Sequence, residues 1–260
     1  MSLTDKVDLV MWTKNGAQTL QPVLKRINQV IPIEAINQRL IVDDQSTDNT
    51  INIAHFSGWQ VIPNEGKGIS DGANTALRHV ETEYFVSFEQ DLLLAQDWWR
   101  KVPPCLSNPK VAVASGIRFN RYPEVVKKIQ QYTAEGCRSA DKTSQFLPYV
   151  KTLDNTIYRT QIIRDLGGFP KLPISVGIDH MLSQKIFKAG WKWKVEYNVH
   201  SVHLRRGLKN ELEHNYWYGT HADELERALF QRNLNTRALL RRVLLSPLKG
   251  LQIAIKKRAP

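Results

Sequence analysis

Apolar positions in the first ninety residues fall into short unbroken runs separated by stretches with helical spacing. Val7–Trp12 (VDLVMW), Leu40–Val42, Trp59–Pro63 (WQVIP) and Tyr84–Asp91 (YFVSFEQD) are short and read as strands. Between the first two, Ala17–Val30 places Leu20, Val23, Leu24, Ile27 and Val30 on one face of a helix. After the second, Ser46, Thr47 and Asp48 offer N-cap oxygens to a helical pattern running through Ile51 and Ala54. NEGKGISDGANTALRHV begins with glycines and becomes helical by Ala73. Strands alternating with helices predict an α/β fold with a doubly wound, mostly parallel central sheet flanked by helices.

The second half is less regular. AVASGIRF reads as a strand, Tyr122–Arg138 as a helix and Ser139–Tyr149 as a polar loop. TLDNTIYRTQIIRDLGGF combines a strand with a short helix that stops at Gly167-Gly168. DHMLSQKIFKAGW is an amphipathic helix ended at Gly190, and KWKVEYNVHSVHLRR is one strand, or two with a turn at Asn198. With no linker-like stretch and no repeat, the expected organisation is one domain over residues 1–226 and a basic, amphipathic, helical appendage over 227–260.

Composition narrows the class. Of the 260 residues 42% are hydrophobic, enough for a sizeable core and against global disorder. Cys105 and Cys137 form no CxxC pair, so no metal knuckle or disulfide framework is expected and the chain fits a reducing compartment. No apolar run approaches the ~18 residues that span a bilayer, and MSLTDKVDLV has no signal-type apolar stretch. The formal charge of +11 is unevenly placed. Residues 227–260 hold nine of the 36 Lys and Arg residues and no Asp or Glu, which leaves 27 basic against 25 acidic residues in the rest. In that tail Leu239, Leu240, Val243 and Leu244 lie beside Arg237, Arg241 and Arg242, and Pro247 interrupts the pattern. A basic amphipathic segment reads either as a membrane-surface element or as a helix packed on the domain with its cations in water. No nucleic-acid module precedes it, so nucleic acid is not an expected partner. The expected location is cytoplasmic, with the tail as peripheral contact to the inner face of a membrane.

Two strand ends carry acids, Asp43-Asp44 and Glu89-x-Asp91. If the first four strands are parallel, both groups face the crevice at their carboxyl ends, where open α/β sheets bind ligands. Such a cluster repels itself unless a cation sits there, and a hard divalent ion completed by phosphate oxygens would fit. Taken alone, either pair reads rather as a solvated strand end, loop or cap.

IVDDQSTDNT, NEGKGISDGANTAL, EYFVSFEQDLLLAQDWW, NTIYRTQIIRDLGGF, GIDHMLSQKIFKAGWKW and VHSVHL together resemble the family 2 glycosyltransferases, inverting enzymes of the GT-A fold, in the family's order over residues 7 to about 205. The resemblance implies a nucleotide diphosphate sugar donor of UDP or GDP type, Mg2+ or Mn2+, and a hydroxyl or lipid-phosphate acceptor. It implies nucleotide-sugar contacts from Thr13, Asp44, Gly66, Lys67, Gly68, Gln90, Arg205 and Arg206. It places metal ligation at Asp91, His203 and Glu89, the last standing where the family's DxD motif has its first acid. Asp179 stands at the family's catalytic base, with Ile178 in place of the preceding Glu.

A carboxylate opening a helix after a flexible SVG turn can take a proton from an incoming hydroxyl, although the same Asp179 fits an N-cap equally well. Lys14 replaces an aromatic residue that often lies by the base. A catalytically silent homologue that keeps the nucleotide-sugar pocket is the alternative, and a protein acting only through membrane-surface binding of its tail is a further one.

Overall fold

Strand β1 (Val7–Thr13) is buried at every position and lies between β2 (Ile36–Asp43) and β4 (Tyr84–Phe88), parallel to both. β3 (Gln60–Pro63) extends this parallel block beyond β2. The direction then reverses. β7 (Thr156–Arg159) runs antiparallel between β4 and β6 (Val111–Asn120). β8 (Lys192–His203) is parallel to β6, and the two-residue β5 (Leu92–Leu93) pairs antiparallel with the end of β8. The single eight-stranded sheet has the order β3-β2-β1-β4-β7-β6-β8-β5. The computed structural model describes residues 6–120, 151–172 and 177–204, with isolated positions between 216 and 245. The expected helix over Tyr122–Arg138, the loop to Tyr149, Arg205, Arg206 and most of the tail lie outside the described residues.

Helices α1 (Leu20–Val30), α2 (Thr50–Phe56) and α3 (Gly68–His79) are the crossovers of the parallel block, followed by α4 (Trp98–Lys101), α5 (Thr160–Asp165) and α6 (Ile178–Lys188). α3 begins at Gly68, earlier than glycine content suggests. The Asp71 carboxylate reaches back to accept the Lys67 N–H at 3.0 Å, and this local bond starts the helix. The segment KWKVEYNVHSVH is one strand whose register against β6 shifts between Val195 and His200, around Asn198.

Alternation along the strands sorts the core into two layers. Leu9, Met11, Val86 and Phe88 face α1 residues Leu20, Val23, Leu24 and Ile27 on one side. Val10, Trp12, Phe85 and Tyr158 face Ala73, Ala76, Ile178 and Leu182 on the other. Buried apolar sheet on both faces is what a mostly parallel sheet demands. No helix among the described residues is long and apolar enough to cross a membrane.

Candidate active site

β1, β2 and β4 all end on the same side, and their following loops build one crevice. Asp43 and Asp44 separate there. Asp43 turns inward, where its Oδ2 accepts the Ser46 N–H at 2.9 Å. Asp44 faces a cavity of about 340 Å3 lined by Trp12, Thr13, Lys14, Asn64, Glu89, Gln90 and Asp91 among others. Its Oδ1 accepts from Asn64 Nδ2 at 3.1 Å, and its Oδ2 accepts from the Gly68 N–H at 3.3 Å and pairs with Lys14 Nζ at 3.4 Å. The carboxylate is thus fixed in direction before any ligand arrives.

Gln90 locks the loop after β4 to the loop after β1. Its Oε1 accepts from the Thr13 hydroxyl and from the Lys14 N–H at 3.0 Å, while its Nε2 donates to the Lys14 carbonyl at 3.1 Å. Gly68 lines the cavity. Gly66 and Lys67 are not among its described lining residues, and their N–H groups donate to Asn64 Oδ1 and Asp71 Oδ2. A Cβ on Gly66 would come within 2.2 Å of Asp71 Oδ2, so glycine is needed for that close approach.

At the far side of Gln90 the sheet brings three distant residues together. His203, the last residue of β8, pairs with Leu92, and the Leu204 N–H donates to the Asp91 carbonyl at 2.7 Å. This register sets His203 Nε2 3.2 Å from Asp91 Oδ1 and 3.6 Å from Glu89 Oε2. One ligand atom from each of Glu89, Asp91 and His203 lies within 4.8 Å of the others. His203 is 2% exposed, its Nε2 faces the two carboxylates, and its Nδ1 has no hydrogen-bond partner among the described residues. Burial alone would lower its pKa, but the carboxylates of Asp91 and Glu89 raise it to about 9. The field at this point therefore favours positive charge. Two carboxylate oxygens and an imidazole nitrogen form a donor set that suits Mn2+ or Mg2+ with further ligands from outside the protein.

Two residues that the sequence patterns did not single out complete the cluster. Arg118 Nη1, on β6, donates to Asp154 Oδ2 at 2.9 Å and lies 3.5 Å from Glu89 Oε2. Asp154 is fully buried and also accepts from the Thr152 hydroxyl and from Asn155 Nδ2 at 3.0 Å. Burial pushes its pKa up and the Glu89 charge adds to this, against Arg118 and Thr152. Asn155 holds its place through a left-handed φ of 45° and a backbone carbonyl that accepts from Trp98 Nε1 at 2.8 Å. Gly116 makes room: a Cβ there would lie 2.8 Å from Asn155 Oδ1 and 3.0 Å from the Val199 carbonyl. The signals were present but faint, an Arg inside an otherwise apolar strand (GIRF) and an acid just before one (LDNTIY).

Asp179 is the second residue of α6. The N-cap is Gly177, at φ 81°, so Asp179 is not the cap. Its Oδ1 accepts the His180 N–H at 2.8 Å. Burial raises its pKa to about 6, with the charges of Asp154 and Glu89 adding and the His180 N–H and Arg118 opposing. Ile178 beside it is 3% exposed and belongs to the core, which accounts for an apolar residue at that position.

A model of the family described as "Glycosyl transferase family 2" matches residues 8–190. Among solved structures, the mannosyltransferase PcManGT from Pyrobaculum calidifontis, in complex with GDP-Man and Mn2+, superposes with a TM-score of 0.61 at 20% identity, covering 98% of this chain and 81% of that one. Glucosyl-3-phosphoglycerate synthase from Mycobacterium tuberculosis, in complex with Mn2+, UDP and phosphoglyceric acid, gives 0.60 at 15% identity, covering 87% and 79%. TarS of S. aureus, in complex with UDP-GlcNAc, gives 0.57 at 18%, covering 78% and 59%. No curated protein matches the chain by sequence.

Proposed function

The chain belongs to glycosyl transferase family 2 and is a glycosyltransferase, and from that premise we propose that it performs a metal-dependent, inverting transfer from a nucleotide diphosphate sugar of UDP or GDP type. The observation that carries this reading is His203, buried with Nε2 set against the carboxylates of Glu89 and Asp91 so that one ligand atom from each of the three lies within 4.8 Å of the others. Support also comes from similar folds that bind UDP- or GDP-linked ligands, two of them with Mn2+.

Glu89, Asp91 and His203 would hold the ion, which when bound supplies positive charge against diphosphate oxygens. Asp44, fixed by Lys14, Asn64 and the Gly68 N–H, orients the nucleoside in the cavity beside Thr13 and Gln90. Gly68, whose backbone lines the cavity, lets the chain approach the nucleotide, with Gly66 and Lys67 shaping the turn before it, while Arg205 and Arg206, outside the described residues, are assigned to the diphosphate by the family resemblance. The acceptor hydroxyl attacks the anomeric carbon, its proton passes to the Asp179 carboxylate, and the electron pair of the breaking C–O bond leaves with the nucleoside diphosphate. Arg118 and Asp154 are positioning residues that hold Glu89 in place. The tail adds peripheral contact with an anionic membrane, a reading favoured by Leu240 and Leu244, one helical turn apart and 57% and 74% exposed.

Thermal unfolding with UDP, GDP and their sugars, with and without Mn2+, tests the donor. A true donor at a hundredfold excess over Kd stabilises the fold by about 2.7 kcal/mol. No shift with any nucleotide would sink the reading. A shift without turnover of the donor would favour the silent homologue.

A further inference from the structure

Lys14 is anchored more firmly than a surface lysine needs. Gln90 holds its main chain from both sides, accepting its N–H at 3.0 Å and donating to its carbonyl at 3.1 Å. Asn15 follows at a left-handed φ of 49°, with its N–H on Ser46 Oγ at 2.8 Å. The Lys14 side chain starts from this clamp, is 59% exposed, and sends Nζ to Asp44 Oδ2 at 3.4 Å. An exposed pair at that distance adds little stability, so stability does not account for the clamp. Among the described residues that line the nucleotide cavity, Lys14 is the one cation.

The acceptor sites of Asp44 can be counted. A carboxylate has about four, two on each oxygen. Oδ2 takes the Gly68 N–H at 3.3 Å and the Lys14 ammonium, so both of its sites are used. Oδ1 takes Asn64 Nδ2 at 3.1 Å, which leaves one site. Asn64 is held against turning, because Nδ2 also donates to the Gly68 carbonyl at 3.1 Å and Oδ1 accepts the Gly66 N–H at 3.2 Å. One acceptor site thus stands beside an ammonium that has three hydrogens and uses one of them on Asp44. Trp12 and Ile69, in the same lining, offer apolar surface to the face of a ring.

We propose that the Lys14–Asp44 pair selects the nucleobase of the donor, and that the base it selects is an imide pyrimidine, uracil or its methyl analogue thymine. This choice of base deepens the nucleotide-sugar reading and rests on it. An imide edge carries one N–H between two carbonyls. Its N–H fits the single open site on Asp44, and a neighbouring carbonyl accepts from Lys14. Guanine presents two adjacent donors, so it must displace the Lys14 ammonium or the Gly68 N–H from Oδ2. Cytosine turns a ring-nitrogen lone pair toward the carboxylate, and the two repel. Losing or stranding a hydrogen bond to a charged group changes affinity by about tenfold or more.

Calorimetric titration of the full chain with UDP, dTDP, GDP and CDP in the presence of Mn2+ tests this. The better of UDP and dTDP, which identifies the imide base, should bind at least about tenfold more tightly than GDP and about a hundredfold more tightly than CDP. The N3-methyl derivative of that nucleotide, which lacks the imide N–H, should bind about tenfold more weakly or worse. Lys14→Met keeps the length of the side chain, removes its donors and opens a site on Oδ2. It should weaken binding of the imide nucleotide about tenfold and shrink its preference over GDP, because guanine gains an acceptor site. A lysine with a merely structural role would leave that ratio unchanged. GDP or CDP binding as tightly as the better imide nucleotide, indifference to N3-methylation, or an unchanged ratio in Lys14→Met would overturn the base assignment and leave the donor reading standing. Should the variant unfold, the N3-methyl derivative on the wild-type chain decides. If no nucleotide binds with Mn2+, the donor reading and the base assignment both fall.

Discussion

Asp8, near the start of β1, and Asp91, beyond the end of β4, stand at opposite ends of one sheet. Asp8 is fully buried, yet its Oδ1 accepts from Asn37 Nδ2 at 2.8 Å and its Oδ2 accepts from Gln38 Nε2, the Glu81 N–H and the Thr82 N–H. Four donors from two segments converge on it. At the other end Glu89 and Asp154 pair with Arg118, Asp91 and Glu89 face the His203 imidazole, and Asp179 feels the charges of Arg118, Asp154 and Glu89. One end satisfies its charge internally and tethers the loop before β4. The other gathers several carboxylates around one guanidinium and one imidazole, and Asp179 there has a raised pKa, chiefly from burial. The same residue type meets mostly neutral amide donors at one end and other charged side chains at the other.

Substitutions should therefore part ways at the two ends. Asp179→Asn should lower turnover by about 10^2–10^4 while donor affinity stays near wild type, the pattern of a group that acts in the transition state. Parallel loss of binding and turnover would show a merely structural carboxylate. Asp8→Ala should do the reverse. Stranding its donors should cost roughly 2–4 kcal/mol in chemical denaturation, with kcat of the folded fraction kept. Near-normal stability would erase the contrast between the ends. Asp91→Asn should weaken Mn2+-dependent nucleotide binding by more than about tenfold, since even residues that only support a ligand cost about 10–100-fold, with little change in unfolding midpoint, and Glu89→Gln should weaken it less. Unchanged Mn2+ dependence would remove Asp91 from the metal site.

The pH profile sharpens the same point. Asp179 accepts a proton only when ionised, so turnover should fall about tenfold per unit as pH drops below about 6. Asp179→Asn should abolish that limb. The sign for stability is opposite. The folded state holds this proton more tightly than the unfolded chain does, so the stabilisation is full below the ordinary carboxylate range and is lost as pH rises through about 6. The smallest expected effect lies away from both ends. Removing residues 235–260 should reduce sedimentation with anionic liposomes, in which each Lys or Arg near the surface contributes roughly 1 kcal/mol at low salt. Equal sedimentation with neutral vesicles would argue against an electrostatic tail.

The amino-acid order by itself determined the parallel block, because strands of four to eight apolar residues alternating with amphipathic helices have few other solutions. It also placed Asp44, Glu89 and Asp91 at strand ends, since chain direction puts every such end on one side of a parallel sheet. Only tertiary structure decided the rest. The antiparallel β7 pairs Tyr84 with Arg159, and β5 pairs Leu92 with His203, residues far apart in the chain, and no local pattern encodes which edge His203 will meet. Arg118 and Asp154 look like an exposed strand cation and a loop acid until β6 and β7 align and bury the Asp154 carboxylate against the guanidinium. The raised pKa of Asp179 is likewise a property of its surroundings, because desolvation and neighbouring charge exist only once the distant segments have packed.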